Sequence, residues 1–222
     1  MTARRCSGAQ QSGSIGWNCE DTRSQGMHQK VFGIGFHKTG TKSLAKALCI
    51  LGYRVTGPNN FKDPDIGQTY LQVTRTISAQ FDAFQDNPWP LVYREMDLHW
   101  PEARFVLTLR DGESWYASQL EHFRGGTTPM RELVYGPGLG DPRGNKHHFI
   151  NRMEMHNKAV RTYFQNRPDK LLEMRITDGD GWETLCPFLD RPLPNRRFPH
   201  RNRTQRRKRL ARLKAKRAKA AE

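Results

Sequence analysis

The stretch Lys30–Val55, reading KVFGIGFHKTGTKSLAKALCILGYRV, constrains this chain more than any other. Its opening, Val31 to Phe36, is an apolar run with the length and composition of a buried strand. A glycine-bearing loop follows, Gly35-Phe36-His37-Lys38-Thr39-Gly40-Thr41, after which Leu44, Ala47, Leu48 and Leu51 recur at spacings of three and four. That spacing predicts a helix from about Lys42 to Leu51 with one buried face. Gly52 supplies a stop, and Tyr53-Arg54-Val55 reads as the opening of a second strand. A strand, a glycine loop and a helix aim backbone N–H groups and the positive end of a helix dipole at an anion. Lys38 adds a full charge, so the unit reads as a phosphate-type cradle. The plainer alternative is a glycine turn before an ordinary helix.

The register of the loop narrows its chemistry. A Walker A loop needs Gly, four residues, then Gly-Lys-Ser/Thr, with the hydroxyl on Mg²⁺. Gly35 and Gly40 have that separation, but Thr41 stands at the lysine position and Lys42 at the Ser/Thr position. A lysine does not ligate a cation, so the metal half of the motif is broken, and the lysine comes instead two residues before the second glycine, at Lys38. The run Lys38-Thr39-Gly40-Thr41-Lys42-Ser43-Leu44 resembles the loop of the P-loop-type sulfotransferases, which binds the 5′-phosphosulfate of 3′-phosphoadenosine 5′-phosphosulfate (PAPS).

A second element points the same way. Arg104 to Leu109 is a clear strand, with Arg110 at its end and Asp111 as a good N-cap for a helix to about Phe123. Ser118 lies about two turns into that helix, so Arg110 and Ser118 can converge on one anion at a strand's carboxyl end. The sulfotransferase resemblance implies that this arginine, seven residues, serine arrangement holds the 3′-phosphate of PAPS. Alternatively Arg110 pairs with Asp111 or Glu113, and Ser118 is an ordinary helix residue. Asp86-Asn87-Pro88-Trp89, the run Pro101 to Asp111, and Gly179 to Leu189 extend the resemblance across about residues 30–202, toward the branch widespread in bacteria.

The rest of the chain reads as an alternation of elements. Gly67 to Gln80 carries a weakly patterned helix, Phe81 to Gln85 a short strand, and Leu91 to Trp100 a helix that Pro101 stops. Gly125 to Asn145, rich in Gly and Pro, reads as a long loop, a lid or acceptor-binding segment. Phe149 to Phe164 is a helix with Met153, His156 and Val160 near one face, Lys170 to Ile176 a third clear strand, and Trp182 to Leu189 a last helix. Alternating strands and helices predict an α/β fold with a mostly parallel sheet covered on both faces. The resemblance implies the same, a three-layer α/β/α sandwich of the P-loop NTPase-like kind.

Charge separates the domain from its flanks. Of the formal +15, residues 201–222 carry +10, from eleven Lys/Arg and one Glu. The first 200 residues are thus mildly basic, as suits a polyanionic small ligand. Residues 1–29 are expected to be a disordered leader, 30–202 the domain, and 203–222 a basic, solvated tail of helix-forming composition. The tail could attract nucleic acid, an acidic partner or an anionic membrane surface, or serve simply as a solubilising terminus. No apolar run has the length of a membrane span, and Met1 to Lys30 lacks a signal-peptide core, so a cytoplasmic location is expected. Cys6, Cys19, Cys49 and Cys186 show no CxxC spacing; no zinc site is expected, and Cys49 and Cys186 read as reduced core residues.

The expected activity is sulfuryl transfer from PAPS to a hydroxyl or amine of a small-molecule or glycan acceptor, with no metal required. Lys38 would neutralise charge on the leaving oxygen, while N–H groups of Thr39 to Ser43 and the hydroxyls of Thr39, Thr41 and Ser43 would hold the 5′-phosphate. Two candidate bases stand out. Asp86 follows a strand and corresponds in place to an acidic residue of the family, but it could equally cap the Leu91 segment or form a turn. His37 abuts Lys38, whose charge favours a neutral imidazole; alternatively it packs beside the loop. Two other functions stay open: a P-loop kinase or NTPase in a shifted register, and a nucleic-acid-binding protein acting through the tail.

Overall fold

The computed structural model describes residues 29–200; the expected tail, and the expected leader save for residue 29, lie outside these. In chain order the elements are β1 (Val31–Gly33), α1 (Thr41–Ile50), β2 (Val55–Thr56), α2 (Ile66–Gln80), β3 (Ala83–Phe84), a 3₁₀ turn (Trp89–Leu91) and α3 (Tyr93–His99). Then come β4 (Arg104–Thr108), α4 (Gly112–Phe123), α5 (Pro129–Tyr135), α6 (Lys146–Phe164), β5 (Leu171–Met174) and α7 (Trp182–Phe188). The five strands form one parallel sheet in the order β2-β3-β1-β4-β5.

The two-residue period of the strands divides the core. Val31 and Val106 face one side, where they pack with Leu44 and Leu48 of α1 and Leu185 and Cys186 of α7. Their neighbours Phe32, Phe105 and Leu107 face the other side, against Met96 of α3 and Val160 and Phe164 of α6. Phe32 stacks on Phe84 at 4.5 Å and on Phe105 at 5.5 Å across three adjacent strands. Each of these rings is sealed from water, a burial worth about 1.5–3 kcal/mol apiece. Helices therefore cover both faces, giving the three-layer α/β/α architecture. A third cluster, built on Phe36, Trp115, Tyr135 and Phe149, closes the carboxyl end of the sheet.

Two features depart from the sequence reading. The 125–145 stretch is not a continuous loop, because it contains α5, capped by Thr128, whose side chain accepts from the Arg131 N–H, with Pro129 as its first residue. Cys49 is disulfide-bonded rather than reduced, with its partner outside the described residues. It lies at the rim of its core cluster with 9% of its surface open, whereas Cys186 is wholly buried and free.

A buried ion cluster ties distant segments of one face. Asp97 on α3, with 3% of its side chain exposed, accepts from Tyr163 Oη at 2.9 Å, Arg167 Nη1 at 2.6 Å and Lys170 Nζ at 3.0 Å. Burial alone would raise the Asp97 carboxyl, but these three donors outweigh it and hold the group below its ordinary range. Among the described residues no helix is long and apolar enough to cross a membrane.

Candidate active site

The strand order dictates where a site can form. β3, β1 and β4 are adjacent, and the chain leaves β1 for β2 on one side while β4 lies on the other. In open α/β sheets the crevice beyond the carboxyl ends at such a reversal is where ligands bind. The loops after these three strands carry Asp86, His37 to Thr41, and Arg110 respectively.

The loop after β1 is held by contacts to β4. Gly35 passes so close that a Cβ there would lie 2.1 Å from Thr108 Oγ1 and 2.4 Å from its carbonyl oxygen, so no other residue fits. Thr39 Oγ1 lies 2.6 Å from the Phe36 carbonyl, to which it donates, and 2.5 Å from Thr108 Oγ1. Lys38 adopts φ 70 and Gly40 φ 117, so the chain turns sharply into α1. That helix begins without a side-chain cap and with no acidic residue in its first turn. A helix start left in this state presents N–H donors and about half a positive charge to an anion. Lys38 is half-buried there, and burial, with Lys42 and Arg110 adding to it, lowers its ammonium below the usual lysine range.

Several expected roles change in this geometry. The Thr39 hydroxyl is turned inward and committed to Phe36 and Thr108, and the Thr41 hydroxyl donates to Asp86 Oδ2 at 3.1 Å. Neither is offered to a phosphate, because both brace the loop. Ser43 is buried within α1, and Lys42 is exposed on its outer side. Arg110 reaches the loop itself, since its Nη1 donates to the Lys38 carbonyl at 3.1 Å. Its Nε donates to Ser114 Oγ at 3.1 Å, one helical turn before the expected Ser118, which is half-buried on α4. Asp111 is not the arginine's ion-pair partner; its carboxylate caps α4 by accepting from the Ser114 N–H at 2.9 Å.

Asp86 is placed in the site rather than at a helix cap. Its backbone has φ 65, Oδ1 accepts from the Asn87 N–H at 2.8 Å, and Oδ2 accepts from Thr41. The 3₁₀ turn and α3 begin at Pro88 and Val92 without a side-chain cap, so that alternative role is unused. A left-handed conformation costs a non-glycine residue about 1–2 kcal/mol, and Asp86 and Lys38 both hold one beside each other's charge.

His37 is a core element of the site. Its ring is 5% exposed, with Nδ1 3.1 Å from Asn87 Nδ2 and Nε2 3.0 Å from Tyr135 Oη. Its carbonyl accepts from Trp115 Nε1 at 2.9 Å and from Gln119 Nε2 at 3.3 Å. Burial pushes its pKa down to about 4, and the Lys38 charge that the sequence suggested as the cause is a minor contribution. With both ring nitrogens engaged, His37 meets an acceptor only through Tyr135 or Asn87. His156 is likewise structural, hydrogen-bonded at 2.8 Å to the Ile34 carbonyl. Asn87, Ser114 and Tyr135 were not singled out by the sequence. Of these, Tyr135 was hidden in a stretch read as loop, and Asn87 stood in plain view beside Asp86.

Comparison with known proteins agrees with this geometry. Residues 30–137 and 119–207 match the sulfotransferase domain family, the two overlapping matches together spanning the whole described sheet and its helices. The chain is also 25% identical over 217 residues to the Ava biosynthesis cluster protein M of Aspergillus versicolor, covering 77% of this chain and 80% of that one. With its cradle, its strand order and this match, the chain belongs to the sulfotransferase domain family.

Proposed function

We propose that this sulfotransferase takes its sulfuryl group from PAPS and delivers it to a hydroxyl or amine of a small acceptor. The observation that carries the reading is the convergence of three positive elements on one crevice: the uncapped start of α1, Lys38, and Arg110 bonded to the Lys38 carbonyl. These residues fit a nucleotide with phosphate at both the 5′ and 3′ positions. Bound there, PAPS would supply an activated sulfuryl group and a phosphate leaving group.

The chain's own residues would then act mainly by position and charge. N–H groups at the start of α1 hold the 5′-phosphate, and Gly35 lets the loop pack tightly against Thr108 of β4. Lys38 neutralises negative charge on the bridging oxygen. Arg110 grips the 3′-phosphate, with Ser114 orienting its guanidinium. Asp86, hydrogen-bonded to Thr41 at the start of α1, accepts the acceptor's proton at Oδ2 once Thr41 yields that oxygen. A kinase reading in a shifted register fares worse: Lys42 points outward where a metal-binding hydroxyl is needed, and Asp111 is spent as a helix cap.

Calorimetric titration with 3′,5′-adenosine diphosphate, beside ATP with Mg²⁺, tests the donor. Tight binding of the 3′-phosphorylated nucleotide is the expected result. Preference for ATP with Mg²⁺ would replace this reading with the kinase.

A further inference from the structure

Arg131 stands in the first turn of α5 with 5% of its surface exposed. Its Nη2 donates to the Gly126 carbonyl at 2.7 Å, and its Cζ lies 4.2 Å from the centre of the Phe123 ring. Its Nε and Nη1 are buried with no hydrogen-bond partner. The acids around it are committed elsewhere: Glu132 Oε2 accepts from the Gly138 N–H at 2.5 Å, and Asp141 pairs with Arg143 at 2.7 Å. A guanidinium does not shed its charge in a protein, so an arginine buried without an anion opposes folding unless something completes it.

The surroundings say what completes it. Tyr135 follows Arg131 by four residues, so the two share a face of α5 with their Cβ atoms about 5–6 Å apart. Tyr135 Oη lies 3.0 Å from His37 Nε2, and His37 immediately precedes Lys38. Phe123, which covers the guanidinium, meets the His37 ring edge-on at 5.4 Å. Two further buried atoms near His37 lack partners, the side-chain oxygens of Asn87 and Gln119, although the amide nitrogens of both residues are engaged with His37. The patch beside the cradle thus holds unused donors on a fixed cation and unused acceptors on two amides.

We propose that Arg131 holds a carboxylate of the acceptor, so that the molecule sulfated is a small carboxylic acid. This rests on the sulfuryl-transfer reading above. The carboxylate accepts a charge-assisted hydrogen bond from Nε or Nη1, the donors left free at the edges of the guanidinium, while Phe123 stays on its face. Asn87 and Gln119 then accept from the acceptor's O–H or N–H groups.

The test uses matched acceptors with the full chain and PAPS: 4-hydroxybenzoate against its methyl ester, and tyrosine against tyramine, with 3′,5′-adenosine diphosphate release as the readout. The carboxylates are expected to exceed their neutral partners at least ten-fold in kcat/KM. Arg131→Met should erase that preference while 3′,5′-adenosine diphosphate binds as in the wild type, and Arg131→Lys should restore part of it. Equal turnover of each pair, or a preference that survives in Arg131→Met, overturns the proposal. If no acceptor in the panel turns over, titration of the nucleotide complex with benzoate and with inorganic phosphate decides. Arg131-dependent binding of benzoate supports the site; binding of phosphate alone, or of neither, overturns it. Failure of wild-type protein to bind 3′,5′-adenosine diphosphate would refute the donor reading instead.

Discussion

If PAPS is the donor as proposed, replacing Arg110 with alanine should separate the contributions of its two phosphate positions. The guanidinium is half-buried and already oriented by Ser114 and the Lys38 carbonyl, so little ordering remains to be done when a phosphate arrives. A hydrogen bond between charged groups contributes about 1.5–3 kcal/mol, which at 1.4 kcal/mol per decade is about 10- to 150-fold in affinity. Removing Arg110 also frees the Lys38 carbonyl and loosens the loop, but that effect falls equally on nucleotides with and without a 3′-phosphate. Calorimetry with 3′,5′-adenosine diphosphate and with 5′-AMP, on wild type and Arg110→Ala, therefore isolates the contact. The preference for the 3′-phosphorylated nucleotide should shrink by about that 10- to 150-fold factor, with 5′-AMP affinity changed far less. An unchanged ratio, with both affinities falling together, would show that Arg110 acts through the loop and that the 3′-phosphate lies elsewhere.

Two other outcomes are expected. Lys38→Ala should lower single-turnover sulfuryl transfer by about 10²–10³-fold, more than it lowers nucleotide affinity, because its charge acts on an oxygen that becomes negative during transfer; equal losses would assign it to binding alone. Asp97→Asn should lower unfolding free energy at pH 7 by about 1.5–3 kcal/mol, read as a urea midpoint. The sign follows from the depressed carboxyl: its contribution is complete above the unfolded value of about 4 and is lost as pH falls through the lower folded value. The wild-type advantage over Asp97→Asn should therefore shrink as pH falls, and an advantage that grows on acidification would contradict the assigned donors.

What the sequence could and could not convey follows from the range of the forces involved. The strands and the helices of α1, α4 and α6 were legible because apolar period and caps are local, as with Asp111 at the start of α4. The strand–loop–helix unit of β1 and α1 was legible for the same reason, being contiguous in the chain. Helix α5 was obscured by the glycines and prolines on either side, although Thr128-Pro129 is a helix start in miniature. The inward turn of Thr39 depends on Thr108, 69 residues away, and the burial of His37 depends on Tyr135, 98 residues away. No spacing rule reports contacts of that kind, nor the disulfide at Cys49.

The division of the crevice between two kinds of scaffold bears on how such an enzyme can change. In the proposed reaction the groups assigned to the nucleotide hang from three neighbouring strands of the sheet, whereas Arg131 and Tyr135 hang from a short helix in the connection between α4 and α6. On the proposed reading, replacing that connection should alter which acceptor is used without touching the strands assigned to the nucleotide. The joint between the two halves is His37, whose carbonyl is tied to α4 and whose imidazole is tied to α5 and to the turn after β3. A chimaera built by exchanging residues 124–145 should keep a hydroxyl at the Tyr135 position. Without it the swapped segment has no mooring to the loop, and the two halves of the reaction lose their common reference point.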